Sequence, residues 1–580
     1  MHRRVRLTLL PLGIANLVTL ATASLSAQDA SDSAGMAVSK RGMVISSSSI
    51  ASNVGAGILR RGGNAIDAAV ATAFALAVTY PGAGNIGGGG FMVIRLRDGT
   101  ATTIDYRERA PLRSTPTMYL DSSGKVNPRL TATGYLAPGV PGTVRGLALA
   151  HRKYGRLPWR QVVMPAVELA SKGFPLDSSL ARGLNREVGR AMTPYAASVA
   201  AYGKPGGGDW QPGDTIVLAD LGRTLRAIAT HGPDVFYTGW IADSLAADMQ
   251  RNGGLISKKD LATYRPRERA PVRGSFHGYE IISMPPPSSG GVALVEMLNI
   301  LSRYDLRAEG RYAPRTLHLM IESMRRAYLD RARYLGDPDF VKVPVARLTS
   351  IAHAAALAKG IDPAKASSSA ELGRDIVTTP NVATESEETT HLSVVDREGN
   401  AVSNTYTLEG GYGSHVVVRG AGFLLNNEMG DFNKKPGETN LQGGIGTPPN
   451  LIAPGKRMLS SMTPTIVTRN GKLFMVTGSP GGRTIINTVT EVVLNVTGFG
   501  MNAREAVDAP RLHHQWLPDT AVFEREALPD STVARLQAMG HAIVQRGRQG
   551  DAHTIVFDSR TRTAYGANDR RSSDSRAAAP

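Results

Sequence analysis

The stretch ESEETTHLSVVDREGN, residues 385 to 400, sets two threonines, Thr389 and Thr390, directly after a short acidic run and then reads as a strand entering a turn. In a symmetric antiparallel hairpin centred on Glu398, residues equidistant from the turn face each other, so Thr389 meets Thr407. A bulge would shift that pairing by one residue. Two hydroxyls at a strand mouth can be a structural Thr–Thr pair or the start of nucleophilic chemistry, and the pattern alone leaves both open. The chain contains no cysteine. Thiolate catalysis, disulfides and Cys-based metal sites are therefore excluded, and any nucleophile is an oxygen or a nitrogen. A threonine hydroxyl is a weak nucleophile that needs a base beside it. An α-amino group freed by chain cleavage, with an ordinary pKa of about 7.7 to 8.0, is such a base.

Other residues offer less. The run Gly87 to Gly90 lacks the Lys-Ser/Thr that a Walker loop requires, and it fits close backbone packing better than phosphate binding. His513 and His514 are adjacent and so point in different directions, unlike metal ligands at helical spacing, and no metal is expected.

The elements that must position these groups are those of a mixed α/β protein. The alanine-rich segment Asn64 to Tyr80 predicts a helix buried on most sides, with Asn64 as its N-cap. The segment Ala313 to Asp337 predicts an amphipathic helix with Leu317, Met320, Ile321 and Met324 on one face and arginines opposite. From about Thr389 the texture changes to strands and turns, with hairpins over 391–408, 456–482 and 552–567 and helical segments between Ile485 and Pro510. The chain thus divides by texture near residue 388, mostly helical before it and β-rich after it. With 580 residues and 42% apolar content it can bury a large core.

The N-terminus places Arg3, Arg4 and Arg6 before an apolar run from Leu7 to about Ala23. That is the pattern of a secretory signal peptide over residues 1–27, cut after Ala23 or Ala27. Pro11, Gly13 and Asn16 weaken the alternative of an uncleaved membrane anchor. The mature chain is expected to be exported, periplasmic or secreted. The formal charge of +17 is dispersed rather than striped. Three of its arginines belong to the signal segment and no nucleic-acid-binding motif appears, so a nucleic-acid partner is not expected.

Several segments occur together in one order: ILRRGGNAIDAAVATAFALAVTYPGAGNIGGGGFMV, DYRERAP, APGVPGTVRGL, TTHLSVVDREGNAVSNTYTL, GFLLNNEMGDF, LSSMTPTIV, TGSPGG and APRLHHQWLP. This set closely resembles the γ-glutamyltranspeptidase family, from roughly Gly42 to Ala567. The resemblance implies a four-layer αββα sandwich of the N-terminal nucleophile hydrolase type, built jointly by a large and a small subunit as one intertwined unit, and made as one precursor that cuts itself between Glu388 and Thr389. Residues 28–388 would then be a large subunit and 389–580 a small one. Thr389 would be nucleophile and, through its α-amino group, base, with Thr407 orienting its hydroxyl. Gly481 and Gly482 would form the oxyanion hole. Arg107, helped by Ser460 and Ser461, would grip the substrate α-carboxylate, with Arg109 the alternative by proximity. Glu428 and Asp431 would hold the α-ammonium, with Glu409 close by. The implied substrates are γ-glutamyl donors such as glutathione and glutamine with amino acid or peptide acceptors, and no cofactor is needed.

Three positions depart from the family pattern. Glu409 stands where many members have asparagine, Gln442 replaces a gating aromatic in a lid loop, and Gly430 adjoins Asp431 where an acidic residue often sits. Two rival readings remain at this point: a glutaryl or cephalosporin acylase of the same family, and an unprocessed periplasmic binding protein.

Overall fold

Side chains alternate between the two faces of a strand, and here that alternation sorts the core into three seams. A computed structural model describes residues 35–376, 388–525 and 527–580. The signal segment, and the acidic run as far as Glu387, lie outside the described residues. Seven strands of the two main sheets come before residue 388: β1 (Ala37–Ser39), β2 (Gly42–Ser46), β3 (Gly89–Arg95), β4 (Ala101–Asp105), β5 (Arg267–Arg269), β6 (Val272–Phe276) and β7 (Tyr279–Ser283). Seven more follow it: β8 (Thr390–Asp396), β9 (Ala401–Thr407), β10 (Thr465–Arg469), β11 (Lys472–Thr477), β12 (Thr554–Asp558), β13 (Thr563–Ala567) and β14 (Arg576–Ala578).

These strands make two seven-stranded sheets, ordered β14-β2-β8-β9-β3-β4-β5 and β1-β13-β12-β11-β10-β7-β6. Met43, Ile45, Val93 and Val395 of the first sheet meet Ile282, Ile466, Val476 and Ile555 of the second in a shared apolar seam. Their neighbours Val44, Met92, Ile94 and Val394 pack instead with the helices α1 (Ser49–Arg60) and α2 (Ala65–Thr79). On the far side Ile281, Val467 and Met475 pack with α3 (Gly290–Leu301), α4 (Pro314–Tyr334) and α6 (Thr484–Thr497); α5 (Ile351–Lys359) packs on α3. The order helices, sheet, sheet, helices is the expected four-layer αββα sandwich.

The change of texture at residue 388 is not a boundary between separate structural units, in keeping with a fold built jointly from both sides of it. Half of the main-sheet strands lie before it, and each sheet takes strands from both sides. Strands such as GMVIS and GGFMVIR are buried on both faces. They lack the polar alternation that marks a half-exposed strand, and so read as parts of an otherwise helical stretch.

The helices follow their local signals closely. Asn64 caps α2, accepting from Ile66 N and Asp67 N, and Asp67 reciprocates in a capping box. Every residue of α2 is buried. The predicted helix from Ala313 is observed as Pro314–Tyr334, with proline in its first turn.

The β8–β9 hairpin lies at the centre of the first sheet, and its register is the symmetric one: Thr390 pairs with Tyr406 and His391 with Thr405, with no bulge. Asp396 ties its turn to α2. The buried carboxylate accepts from Glu398 N at 2.8 Å, Asn400 N at 3.0 Å, Asn400 Nδ2 at 2.7 Å and Ala65 N at 3.0 Å. Beneath the hairpin the glycine run is needed for close approach, because a Cβ on Gly88 would sit 2.1 Å from Thr407 O and one on Gly90 2.4 Å from Thr405 O. Asp396→Ala would strand several donors, at a cost on the order of 3 kcal/mol. It should lower the thermal unfolding midpoint by several degrees in calorimetry.

Candidate active site

Thr389 sits one residue before β8, at the mouth of the hairpin, with its peptide bond to Glu388 intact. Its Oγ1 donates to the Glu388 carbonyl oxygen at 2.6 Å. Thr407, the last residue of β9, donates to the same oxygen at 3.0 Å. The Thr407 hydroxyl in turn accepts from Glu409 N at 2.9 Å. In this joined chain Thr407 therefore polarises the Glu388 carbonyl rather than bonding the Thr389 hydroxyl, which is the partner the sequence suggests. Glu409 itself is held at φ 81°, a left-handed conformation that costs energy for a residue with a Cβ.

Thr389 opens onto a cavity of about 1110 Å³ that is also lined by Glu388, Thr407 and Glu409. Glu428 and Asp431, Ser460 and Ser461, and Gly481 and Gly482 also line it. The two glycines adopt φ 130° and 56° in the loop between β11 and α6. Among the described residues no protein acceptor takes their N–H groups, which suits them to an anionic oxygen at the α6 N-terminus. The lid position is filled by the loop after Asp431, and Gln442 lines the cavity. That loop is tied together by Lys435–Glu438 at 2.5 Å and by Asn433 Nδ2 donating to Thr447 O at 2.7 Å.

Arg107 is fully buried beneath this wall. Its guanidinium pairs with Glu428 at 2.7 Å, lies 3.6 Å from Glu108, and bonds Asp431 through Nη2. Arg109 is elsewhere engaged, donating from Nε to Gly455 O at 2.6 Å. Three carboxylates thus surround one buried cation. Burial is the main force that raises the Glu428 carboxyl well above the usual range, against the pull of Arg107 and with help from Glu108, Asp431 and Glu409. Burial likewise pushes Glu108 up to about 8. Asn426 fixes this corner. Its amide donates to Gly87 O at 2.8 Å and Gly139 O at 2.9 Å, and its oxygen accepts from Glu428 N at 3.1 Å.

Two groups of residues that sequence reasoning missed support the site. Arg331, on the face of α4 that the periodicity assigns to the polar side, donates to Ser289 Oγ at 2.9 Å and to Ser461 Oγ at 3.2 Å. Thr390 begins a buried chain: it donates to Ser47 Oγ at 3.1 Å, which donates to Asp551 at 3.4 Å, with His553 Nε2 3.3 Å from that carboxylate. Burial opposes charge on His553, yet Asp551 raises its pKa above the ordinary imidazole value. No local signal links residues this far apart in sequence.

Arg107→Ala should destabilise the folded chain, because it leaves the carboxylates without a counter-ion. Carboxyls whose pKa is raised by folding favour the folded state below their unfolded pKa, and that contribution is lost as pH rises through the folded value. The fall in unfolding midpoint should therefore be larger at about pH 8 than at about pH 5. Glu428→Gln in the wild-type background should reduce that pH dependence. Melting curves across this range check both.

The profile of the family described as Gamma-glutamyltranspeptidase matches residues 51–579. A glutathione hydrolase proenzyme of Escherichia coli (strain K12) is 47% identical over 535 residues, covering 92% of this chain and 91% of that protein. A cephalosporin acylase structure from Bacillus halodurans superposes with a TM-score of 0.82 at 28% identity, covering 94% of this chain and 97% of that one. A γ-glutamyltranspeptidase chain from Helicobacter pylori is 46% identical with a TM-score of 0.54, covering 55% of this chain and 91% of that one.

Proposed function

The chain belongs to the γ-glutamyltranspeptidase family, and on that premise we propose that it is a self-processing γ-glutamyltransferase and glutathione hydrolase whose nucleophile is Thr389. The observation that carries this reading is the convergence of two threonine hydroxyls on the Glu388 carbonyl, inside a cavity that also presents paired charges.

Maturation proceeds in two steps. Thr389 Oγ attacks the Glu388 carbonyl carbon while the Thr407 hydroxyl bonds its oxygen. The C–N bond breaks, the hydroxyl proton passes to the departing amine, and an ester joins Glu388 to Thr389. Water then hydrolyses that ester, which releases the Glu388 carboxylate and leaves Thr389 with a free hydroxyl and a free α-amino group. Residues 28–388 become a large subunit and 389–580 a small one.

Turnover repeats the chemistry on a substrate. The α-amino group takes the Thr389 hydroxyl proton as the oxygen attacks the γ-carbonyl, and the N–H groups of Gly481 and Gly482 receive the developing oxyanion. The leaving amine departs protonated, and water or an acceptor amine then takes the γ-glutamyl group from the ester. Ser460 and Ser461 bind the α-carboxylate at the cavity wall, with Arg107 supplying positive charge from beneath it, and Glu428, Asp431 and Glu409 bind the α-ammonium. A zwitterionic head suits this corner, since it adds one charge of each sign to an existing ion cluster. A glutaryl group would bring a fourth carboxylate with no cation, which argues against the acylase reading. Glutathione or glutamine as donor, and amino acids or peptides as acceptors, fit the same chemistry.

No described helix is long and apolar enough to cross a membrane. The N-terminal signal pattern supports an exported protein, periplasmic or secreted.

Denaturing gels of the purified protein should show two fragments, with Edman sequencing of the smaller one starting at Thr389. Thr389→Ala should run as one band and lack activity. A wild-type protein that stays a single full-length band would remove both the enzyme and its nucleophile, leaving the binding-protein reading. In processed protein, Arg107→Lys keeps the charge but not the two-pronged geometry. It should raise KM for a γ-glutamyl anilide by about tenfold or more, with a smaller change in kcat, in steady-state assays.

A further inference from the structure

Among the buried groups that catalysis leaves unused, Glu296 stands out. It lies in α3, whose other side chains include Val292, Leu294, Val295, Met297 and Leu298, and every residue of that helix is buried. Glu296 is wholly inaccessible, and neither carboxylate oxygen has a hydrogen-bond partner. Evolution and folding rarely leave a buried carboxylate unanswered, because an unpaired polar group there loses its hydration for nothing. Beside it stand Asp330 of α4 and His353 of α5, joined to each other by a 2.6 Å contact between His353 Nε2 and Asp330 Oδ2. One ligand atom from each of the three residues lies within 4.8 Å of the others. Arg347 is close enough to act electrostatically on Glu296 and Asp330, but among the described residues it makes no ion pair with either.

 The Arg347 guanidinium carbon stacks 4.3 Å from the centroid of the Tyr334 ring.

We propose that Glu296, Asp330 and His353 form a binding site for a divalent transition-metal ion, Zn²⁺ or Mn²⁺, that clamps α3, α4 and α5 together. Two carboxylate oxygens and one imidazole nitrogen suit these ions better than Mg²⁺ or Ca²⁺, which favour oxygen alone. Bonds of about 2.0 to 2.2 Å span donor separations up to about 4.4 Å, so small side-chain rotations that part His353 from Asp330 and draw Glu296 in complete the site. His353 is partly exposed, which gives the ion a route in. A second buried group, His318, Glu322 and His541, has comparable spacing. Its carboxylate, however, is already taken by Arg325, Arg326 and Ser367 N, and two guanidiniums there oppose a cation. The ion would be structural. Its ligand Asp330 adjoins Arg331, which holds Ser461 at the active-site wall, so the clamp would steady that wall without touching substrate.

The test uses the untagged full chain, purified without chelator, with metal content read by plasma mass spectrometry. About one Zn²⁺ or Mn²⁺ per chain is expected. After chelator treatment, added Zn²⁺ or Mn²⁺ should raise the unfolding midpoint by several degrees, and Mg²⁺ should not. Glu296→Gln and His353→Gln should each lose the bound ion and the shift. His353 is the less buried position, so that variant keeps the test open if Glu296→Gln fails to fold. Absence of bound metal together with no shift, or a shift that persists in folded His353→Gln, would overturn the site.

Discussion

One carbonyl oxygen, that of Glu388, accepts hydrogen bonds from the hydroxyls of Thr389 and Thr407. The geometry depends on the fixed register in which β8 and β9 pair, and the turn at Asp396 that closes this hairpin is pinned to the start of α2. A slip of one residue would turn the alternating side chains to opposite faces and send both hydroxyls away from the carbonyl. The central place of the hairpin in the first sheet, with β2 on one side and β3 on the other, makes such a slip costly.

The second constraint is electrostatic. Arg107 is out of reach of water and is compensated by carboxylates from its own chain. A site built this way keeps its charged groups oriented before any ligand arrives. It also makes each charge depend on the others, so that removing one alters the protonation of the rest.

Much of this was legible in the sequence, for physical reasons that differ from case to case. The hairpin was legible because alternation with period two and a Gly-Asn turn fix a register by themselves. The α2 cap was legible because Asn64, whose side chain can accept from free backbone N–H groups, stands directly before the apolar run. The pairing of Arg107 with Glu428 and Asp431 was not, since their types suggest charge but not which charges meet. Nor was the chain from Thr390 through Ser47 to Asp551, which joins three distant segments. The short strands before residue 388 were hidden by burial on both faces. Glu296 was hidden for the opposite reason, as a lone polar letter in a helix that otherwise reads as core.

The interleaving of strands has a mechanical meaning. Five strand boundaries join segments from opposite sides of residue 388: β14 with β2, β2 with β8 and β9 with β3 in the first sheet, and β10 with β7 and β1 with β13 in the second. Opening the backbone at the proposed cut therefore removes a covalent link without removing a seam. Two pieces made by that cut would behave as a single folded body whose parting is the same event as its unfolding, so dilution alone would have no boundary along which to pull them apart.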